Sequence, residues 1–255
     1  MAVRGIDVSK HNGSIDFAKV KAAGYDFVII RAGTGYNGQN CKDIKFEENY
    51  AKAKAVGLGV GAYWFGYSST PESARKEAEW FISDVHGKMF EYPLFFDLED
   101  DPNSNSFPLK TGKANCTAIV EAFCSTVEKA GYYVGFYTSK SVAETLIEPT
   151  IRSRYALWIA QWSAKCTYNG VYGMWQYSEK GKVDGISGNV DLDYCYVDYP
   201  SAIKAKGING FPKKAVDNTP VKKTKYEVIL ECDTEEQARS LQLIFANSRV
   251  RKSNE

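Results

Sequence analysis

The 255-residue chain is poor in the side chains that most often carry metal or redox chemistry, with two histidines and six cysteines. The cysteines, at 41, 116, 124, 166, 195 and 232, form no CxxC pair. That excludes a zinc-ligand spacing and predicts reduced, mostly buried thiols, with no metal or cofactor. Surplus charge is also missing. The 32 lysines and arginines meet 31 acids, so no global field exists to collect nucleic acid or anionic lipid by counterion release. No run of about 18 apolar residues occurs, and the N-terminal Met-Ala-Val-Arg-Gly-Ile-Asp lacks the basic-then-apolar order of a secretory signal. The expectation is a protein without a membrane span or an export signal, whose partner is recognised locally.

What is present is globular: 44% hydrophobic and 25% charged residues, in a length that suits one large single-core domain with a small appendage. Apolar strands alternate with amphipathic helical stretches through the first 200 residues, the signature of a parallel sheet with helical crossovers. Strands are expected at 3–8, 26–32, 60–66, 93–98, 133–138, 156–161, 173–177 and 190–196. Helices are expected at 15–23, 46–56, 71–85 and 115–130. Gly24, Gly57 and Gly131 suit left-handed C-terminal caps, and Thr70 before Pro71 suits an N-cap followed by a first-turn proline. From residue 156 onward the connections are short and helix-poor, so the end of the sheet is expected to run as hairpins. An α/β barrel with an irregular closing segment follows.

Gly207, Gly210, Pro212, Asn218 and Pro220 mark 207–221 as a linker between a barrel at 1–206 and a small α+β module at 222–255. In that module Tyr226, Val228, Leu230 and Cys232 share one strand face. Asp233 and Glu236 have capping-box spacing ahead of a helix whose Ala238, Leu241 and Phe245 share a face. So short a unit has too little core to stand alone, and self-association through it is expected, with cell-wall targeting as the other role.

In a strand-helix barrel, side chains at the C-terminal ends of strands point into the mouth where substrate binds. Asp7, Asp97, Glu99 and Asp191 fall near strand ends. Asp97 and Glu99 lie two residues apart, on one strand face, roughly 6.5–7 Å between alpha carbons. Crowded carboxylates beside low-dielectric walls raise at least one pKa, leaving one acid able to protonate a leaving oxygen while another stays ionised, as glycoside cleavage requires. Acids at strand ends can equally cap helices or pair with Arg31. Asp100 and Asp101 read as a solvated turn before Pro102. Tyr63, Trp64, Tyr137, Trp162, Trp175 and Tyr177 also fall near strand ends, where aromatic faces can stack on sugars or simply fill the core.

The ordered motifs Gly5-Ile6-Asp7-Val8-Ser9 with Asn12-Gly13, Phe27-Val28-Ile29-Ile30-Arg31-Ala32, Gly61-Ala62-Tyr63-Trp64-Phe65 and Phe96-Asp97-Leu98-Glu99 carry a resemblance. So do Gly135-Phe136-Tyr137-Thr138, Trp158-Ile159-Ala160, Trp175-Gln176-Tyr177 and Val190-Asp191-Leu192-Asp193. Over about residues 3–200 the chain resembles the glycoside hydrolase family 25 lysozymes, the Chalaropsis-type muramidases of phage endolysins and bacterial autolysins. The resemblance implies a modified TIM-type barrel of five β/α units followed by three strands. It also implies cleavage of the β-1,4 bond from N-acetylmuramic acid to N-acetylglucosamine in bacterial peptidoglycan. Glu99 would be the general acid, Asp97 the stabiliser of the anomeric centre or the group that orients the substrate's N-acetyl, and Asp7 and Asp191 their supports. Tyr63, Tyr137, Trp162, Gln176, Asp193 and Arg31 would contact substrate. The chain departs from the family pattern at Arg31-Ala32-Gly33-Thr34-Gly35-Tyr36, where many members have a glutamate-glycine turn. It departs again at Asp193, where an asparagine is common; Asp191 is taken over Asp193 as the last family carboxylate. An endolysin held in the host cytoplasm until lysis is expected, with a bacterial autolysin or a non-catalytic peptidoglycan-binding barrel as alternatives.

Overall fold

A computed structural model describes residues 2–104 and 107–213. The strands are β1 (Val3–Val8), β2 (Phe27–Thr34), β3 (Cys41–Lys42), β4 (Gly59–Phe65), β5 (Leu94–Asp97), β6 (Val134–Ser139), β7 (Ala156–Ala160), β8 (Met174–Gly181) and β9 (Val190–Cys195). Eight of them close on themselves in the order β1-β2-β4-β5-β6-β7-β8-β9, and β3 is a two-residue addition to β2. Helices α1 (Phe17–Ala22), α2 (Phe46–Ala55), α3 (Pro71–Val85) and α4 (Lys113–Lys129) connect the first strands, and α5 (Lys140–Leu146) with α6 (Pro149–Arg154) connects β6 to β7. This is the expected arrangement of five β/α units and three further strands. The eight expected strands are present; α5, α6 and the α7 helix (Tyr199–Lys206) are not among the expected helices, each being too short to show a periodic face.

The expectation of hairpins after residue 156 needs correction. β7 and β8 pair in parallel across a helix-free loop, and of the eight barrel strands only β9 runs antiparallel to its neighbours, β8 and β1. The reversal matters for the site, because it brings the start of β9 to the same rim as the ends of the other strands. Asp191 is thereby the register partner of Asp7.

Period-two alternation divides the apolar side chains into two cores. One fills the barrel, with Phe27, Ile29, Phe95, Trp158 and Met174, and the other lies between barrel and helices, with Ile30, Trp64, Phe81, Phe96 and Phe123. The inner core is so tight at its base that a Cβ on Gly5 would meet the Phe27 ring at 2.2 Å. Local signals act as read: Thr70 accepts from the Ser73 amide with Pro71 in the first turn, and Gly24, Gly57 and Gly131 have positive φ. The five cysteines among the described residues are free.

The segment expected as a linker begins inside the domain. Gly207 caps α7 in the left-handed conformation, Ile208 and Phe211 pack on the inner core, and Asn209 is fully buried. The Asn209 side chain accepts from the Tyr133 amide and donates to the Phe90 and Tyr92 carbonyls, satisfying backbone groups just ahead of β5 and β6. Glycine and proline here mark a turn held by an asparagine rather than a free tether. The remaining linker and the module at 222–255 lie outside the described residues.

Asn209→Ala strands those three backbone groups and puts an alanine at φ 56°. We expect a loss of roughly 3 kcal/mol, read as a lower urea midpoint with unchanged slope. A loss under about 0.5 kcal/mol, the size of an ordinary surface substitution, would show the segment to be peripheral.

Candidate active site

At the C-terminal rim of the parallel strands lies a cleft of about 310 Å³, lined by Asp7, Arg31, Tyr63, Asp97, Glu99, Tyr137, Trp162, Gln176 and Asp191 among others. A larger hollow of about 580 Å³ lies elsewhere, beside Ile15, Phe17 and Val56. Its one carboxylate, Asp16, is occupied in capping α1. Convergent chemistry therefore belongs to the mouth.

Asp97 ends β5 and is buried, while Glu99 two residues on is only partly covered. Burial pushes the Glu99 carboxyl up to about 7, with the charges of Asp191 and Asp101 adding to it. Burial also pushes Asp97 well up, Glu99 and Asp191 adding to the rise and the Arg31 guanidinium opposing it. The two titrate as a pair, and protons leave it in steps that belong to both carboxyls. Asp97 Oδ1 has no hydrogen-bond partner, so a donor arriving with a ligand would favour the anion on Asp97 and leave the proton on Glu99. Asp191 is raised to about 6 by burial and by Glu179.

Arg31 enters the mouth beside a β-bulge, where the pairing of β2 with β4 shifts between Arg31 and Gly33. Its Nε donates to Asp43 Oδ2 at 2.8 Å. Asp43 also accepts from the Lys10 and Lys45 amides. The arginine is thus held by Asp43 and acts on Asp97 only through space.

Gln176 is buried and bonded at both ends of its amide. Its Nε2 donates to Asp7 at 2.8 Å, and its Oε1 accepts from Tyr137 Oη at 3.0 Å and Trp162 Nε1 at 2.9 Å. Tyr63 and Tyr137 stand edge-on to Trp158, which floors the cleft. Trp162 is 56% exposed, so most of its ring is free to meet a ligand.

Of the residues expected at the site, Asp193 departs. It is fully buried beneath the cleft, bonded to Trp158 Nε1, and out of reach of a ligand. Trp64, Trp175 and Tyr177 also face away. Trp64 packs outside the barrel on Phe81 and donates to Glu77, while Trp175 and Tyr177 sit on the outer face with Tyr194. Their neighbours Tyr63 and Gln176 point inward, and strand alternation forbids both. Asp100 and Asp101 are bound rather than merely solvated, Asp100 accepting from the Leu109 amide and Asp101 from Tyr67 Oη at 2.6 Å. Sequence reasoning did not single out Ser9, His11, Phe65, Trp158 or Glu179, which also line the cleft. All but His11 and Glu179 lie inside the motifs quoted above.

Residues 6–186 match the family described as Glycosyl hydrolases family 25. Lysozyme M1 of Streptomyces globisporus is 32% identical over 199 residues, which are 74% of this chain and 66% of that protein. The Autolytic lysozyme of Clostridium acetobutylicum is 30% identical over 192 residues, covering 75% of this chain and 55% of its own length. This chain therefore spans a little over half to about two thirds of the length of these two lysozymes. The solved CTP1L endolysin superposes with a TM-score of 0.67 at 29% identity, over 80% of this chain and 70% of that one. With five β/α units, three closing strands and an acidic mouth already in place, the chain belongs to glycosyl hydrolase family 25.

Proposed function

We propose that this protein is a peptidoglycan hydrolase, an endolysin-type muramidase that cuts the β-1,4 bond between N-acetylmuramic acid and N-acetylglucosamine. Glu99 carries this reading: a carboxyl raised to about 7 in an open cleft keeps a large protonated fraction at neutral pH and can give its proton to a leaving oxygen. As the bond from the anomeric carbon to that oxygen breaks, positive charge develops at the carbon. Asp97 stabilises it, or holds the N–H of the substrate's acetamido group on its free Oδ1 so that the acetamido oxygen faces the same carbon. Asp7 and Asp191 line the mouth beside this pair, and Arg31, Tyr63, Tyr137, Trp162 and Gln176 meet the sugar.

Peptidoglycan as partner is supported by the two related lysozymes, and the endolysin assignment by the CTP1L likeness. The relative named Autolytic lysozyme keeps a bacterial autolysin of the same activity as the second reading. Among the described residues no helix is long and apolar enough to cross a membrane. Residence in the host cytoplasm before lysis, then action on the wall, belongs to the endolysin reading. So does self-association through 222–255, proposed from the apolar faces of that sequence. Light scattering of the full chain should give more than a monomer mass, and a monomer would remove that element.

Glu99→Gln should lower turnover on purified peptidoglycan by at least about 100-fold, the usual range for a lost general acid. Mass spectrometry of wild-type products should find muramic acid at the new reducing ends. Glucosamine ends, cut peptide stems, or binding without cleavage would refute the assignment. Wild-type turnover should fall on the alkaline side near pH 7, where Glu99 loses its proton.

The same substitution should stabilise the fold at high pH. The Glu99 and Asp191 carboxyls have folded pKa values above their ordinary ones of 4.5 and 3.8, so the stability tied to their protons is complete below those ordinary values and is lost as pH rises through about 6 and 7. For Glu99 the loss is on the order of 3 kcal/mol. At about pH 8 Glu99→Gln should therefore unfold at a higher temperature than wild type, with the difference vanishing near pH 4. Equal melting curves at both pH values would show that Glu99 is not held protonated.

A further inference from the structure

Below the cleft two hydrogen-bonded segments, one ending on Trp162 and the other on Trp158, meet at the carboxyls of Asp7 and Asp193. An indole N–H only donates. Trp162 Nε1 points at Gln176 Oε1, so that atom must be the carbonyl oxygen, and the amide nitrogen must face Asp7 Oδ2. Asp7 Oδ2 is then an acceptor. At the other end Trp158 Nε1 donates to Asp193 Oδ1 at 2.9 Å, so that oxygen is an acceptor too. What remains between them are two buried carboxyls on neighbouring strands, Asp7 opposite Asp191 and Asp193 opposite Gly5, diagonal to one another across the β1–β9 pair and each acting on the other's proton affinity. Two carboxylates cannot hydrogen-bond each other. Asp193 Oδ2 is a buried oxygen with no partner, the place where a proton carried by Asp7 would go.

We propose that Asp193 is a positioning residue that shares one proton with Asp7, and that this proton completes a one-way hydrogen-bond chain from the buried Trp158 to Trp162 at the cleft rim. The proposal rests on the reading of the mouth as a sugar-cutting site only for its purpose, which is to hold the exposed Trp162 ring still for a sugar. Asp7 donates to Asp193 and accepts from Gln176, Gln176 accepts from Trp162, and the Asp7–Asp193 pair carries a single negative charge.

The surroundings favour that proton. Burial is the largest influence on both carboxyls and raises both, and Asp191 adds to each. The other ionisable groups around the mouth are Asp97 from β5 and Glu99 just after it, Glu179 from β8, Tyr137 from β6, Tyr63 from β4, Arg31 from β2 and His11 from the turn after β1. All but Arg31 and His11 are acids; Arg31 is already paired with Asp43, and burial, with the charges of Arg31 and Lys10, pushes the His11 imidazole toward its neutral form. A second full charge on the pair would have no cation to meet it. An asparagine at 193 could supply an N–H to Asp7 in place of the proton. The chain of bonds would survive, with Asp7 now ionised.

The test compares full-length wild type with Asp193→Asn by infrared spectroscopy at about pH 7. The wild type should show one more protonated carboxyl carbonyl band than the variant, shifted in deuterated water. Protons on Glu99, Asp97 or Asp191 contribute to both spectra and cancel. Unfolding at the same pH in weak buffer should release about one proton fewer from the variant. Asp193→Leu, which can neither accept nor donate, should raise KM for soluble peptidoglycan fragments several-fold with a smaller change in kcat, and Asp193→Asn should restore much of the difference. A carboxyl band that persists in Asp193→Asn, or equal proton release, would overturn the proposal. If the wild type proved inactive on peptidoglycan, the infrared and proton measurements would still decide it, so the two readings fail separately.

Discussion

Everything at the mouth follows from the cost of placing several carboxyls in a space that water barely reaches. A buried acid can be tolerated in two ways: enough donors can hold it as an anion, or it can keep a proton. Both solutions occur in this protein. Asp43 has Arg31 and two backbone amides. Glu77 receives Trp64 Nε1, the Tyr67 amide and Ser68 Oγ, and these donors work against the upward push of burial. Asp97 has an oxygen with no partner, and the mouth carboxyls raise one another. Donor count therefore separates the acids that brace the structure from those left able to exchange protons with a ligand.

The scaffold produces that inequality through strand direction. Parallel strands present only their C-terminal ends to the rim, so Asp7, Arg31, Asp97 and Tyr137 arrive there from four of them. β9 runs the other way and contributes its beginning, which sets Asp191 opposite Asp7. Two residues further along β9, Asp193 points to the same interior but one layer down, beneath the cleft. A difference of two residues in one strand thus separates a cleft carboxyl from a sealed one.

Much of this was legible in sequence because the signals were local and periodic. Thr70-Pro71, the apolar strands and the acids at their ends each state their structure within a few residues. Strand parity was also written there: Tyr63 and Trp64 are adjacent, so one had to face the helices. The misses depend on contacts distant in the chain. Asp43 reaches Arg31 only because the two-residue β3 folds back on β2. Glu179 reaches the rim along a strand whose register shifts twice, between Gln176 and Ser178 and again before Gly181. Asn209 carries the composition of a tether and the bonding of a core residue, since its partners lie more than 70 positions away.

The departure of the β2 loop from the common family pattern has a physical cause in the same terms. A side chain at Gly35 would strike the Glu77 carboxyl at 2.2 Å, and one at Gly33 would meet Trp64 at 2.7 Å. The loop after β2 is therefore pressed onto α3 by a carboxyl that is itself bonded to Trp64. With the loop held there and the bulge beside Arg31, the guanidinium is turned into the mouth and caught by Asp43. An acid at that point would have joined an already crowded set of carboxyls. An arginine neutralised by its own partner instead tempers Asp97, while Glu99 stays raised to about 7 by burial and its acidic neighbours.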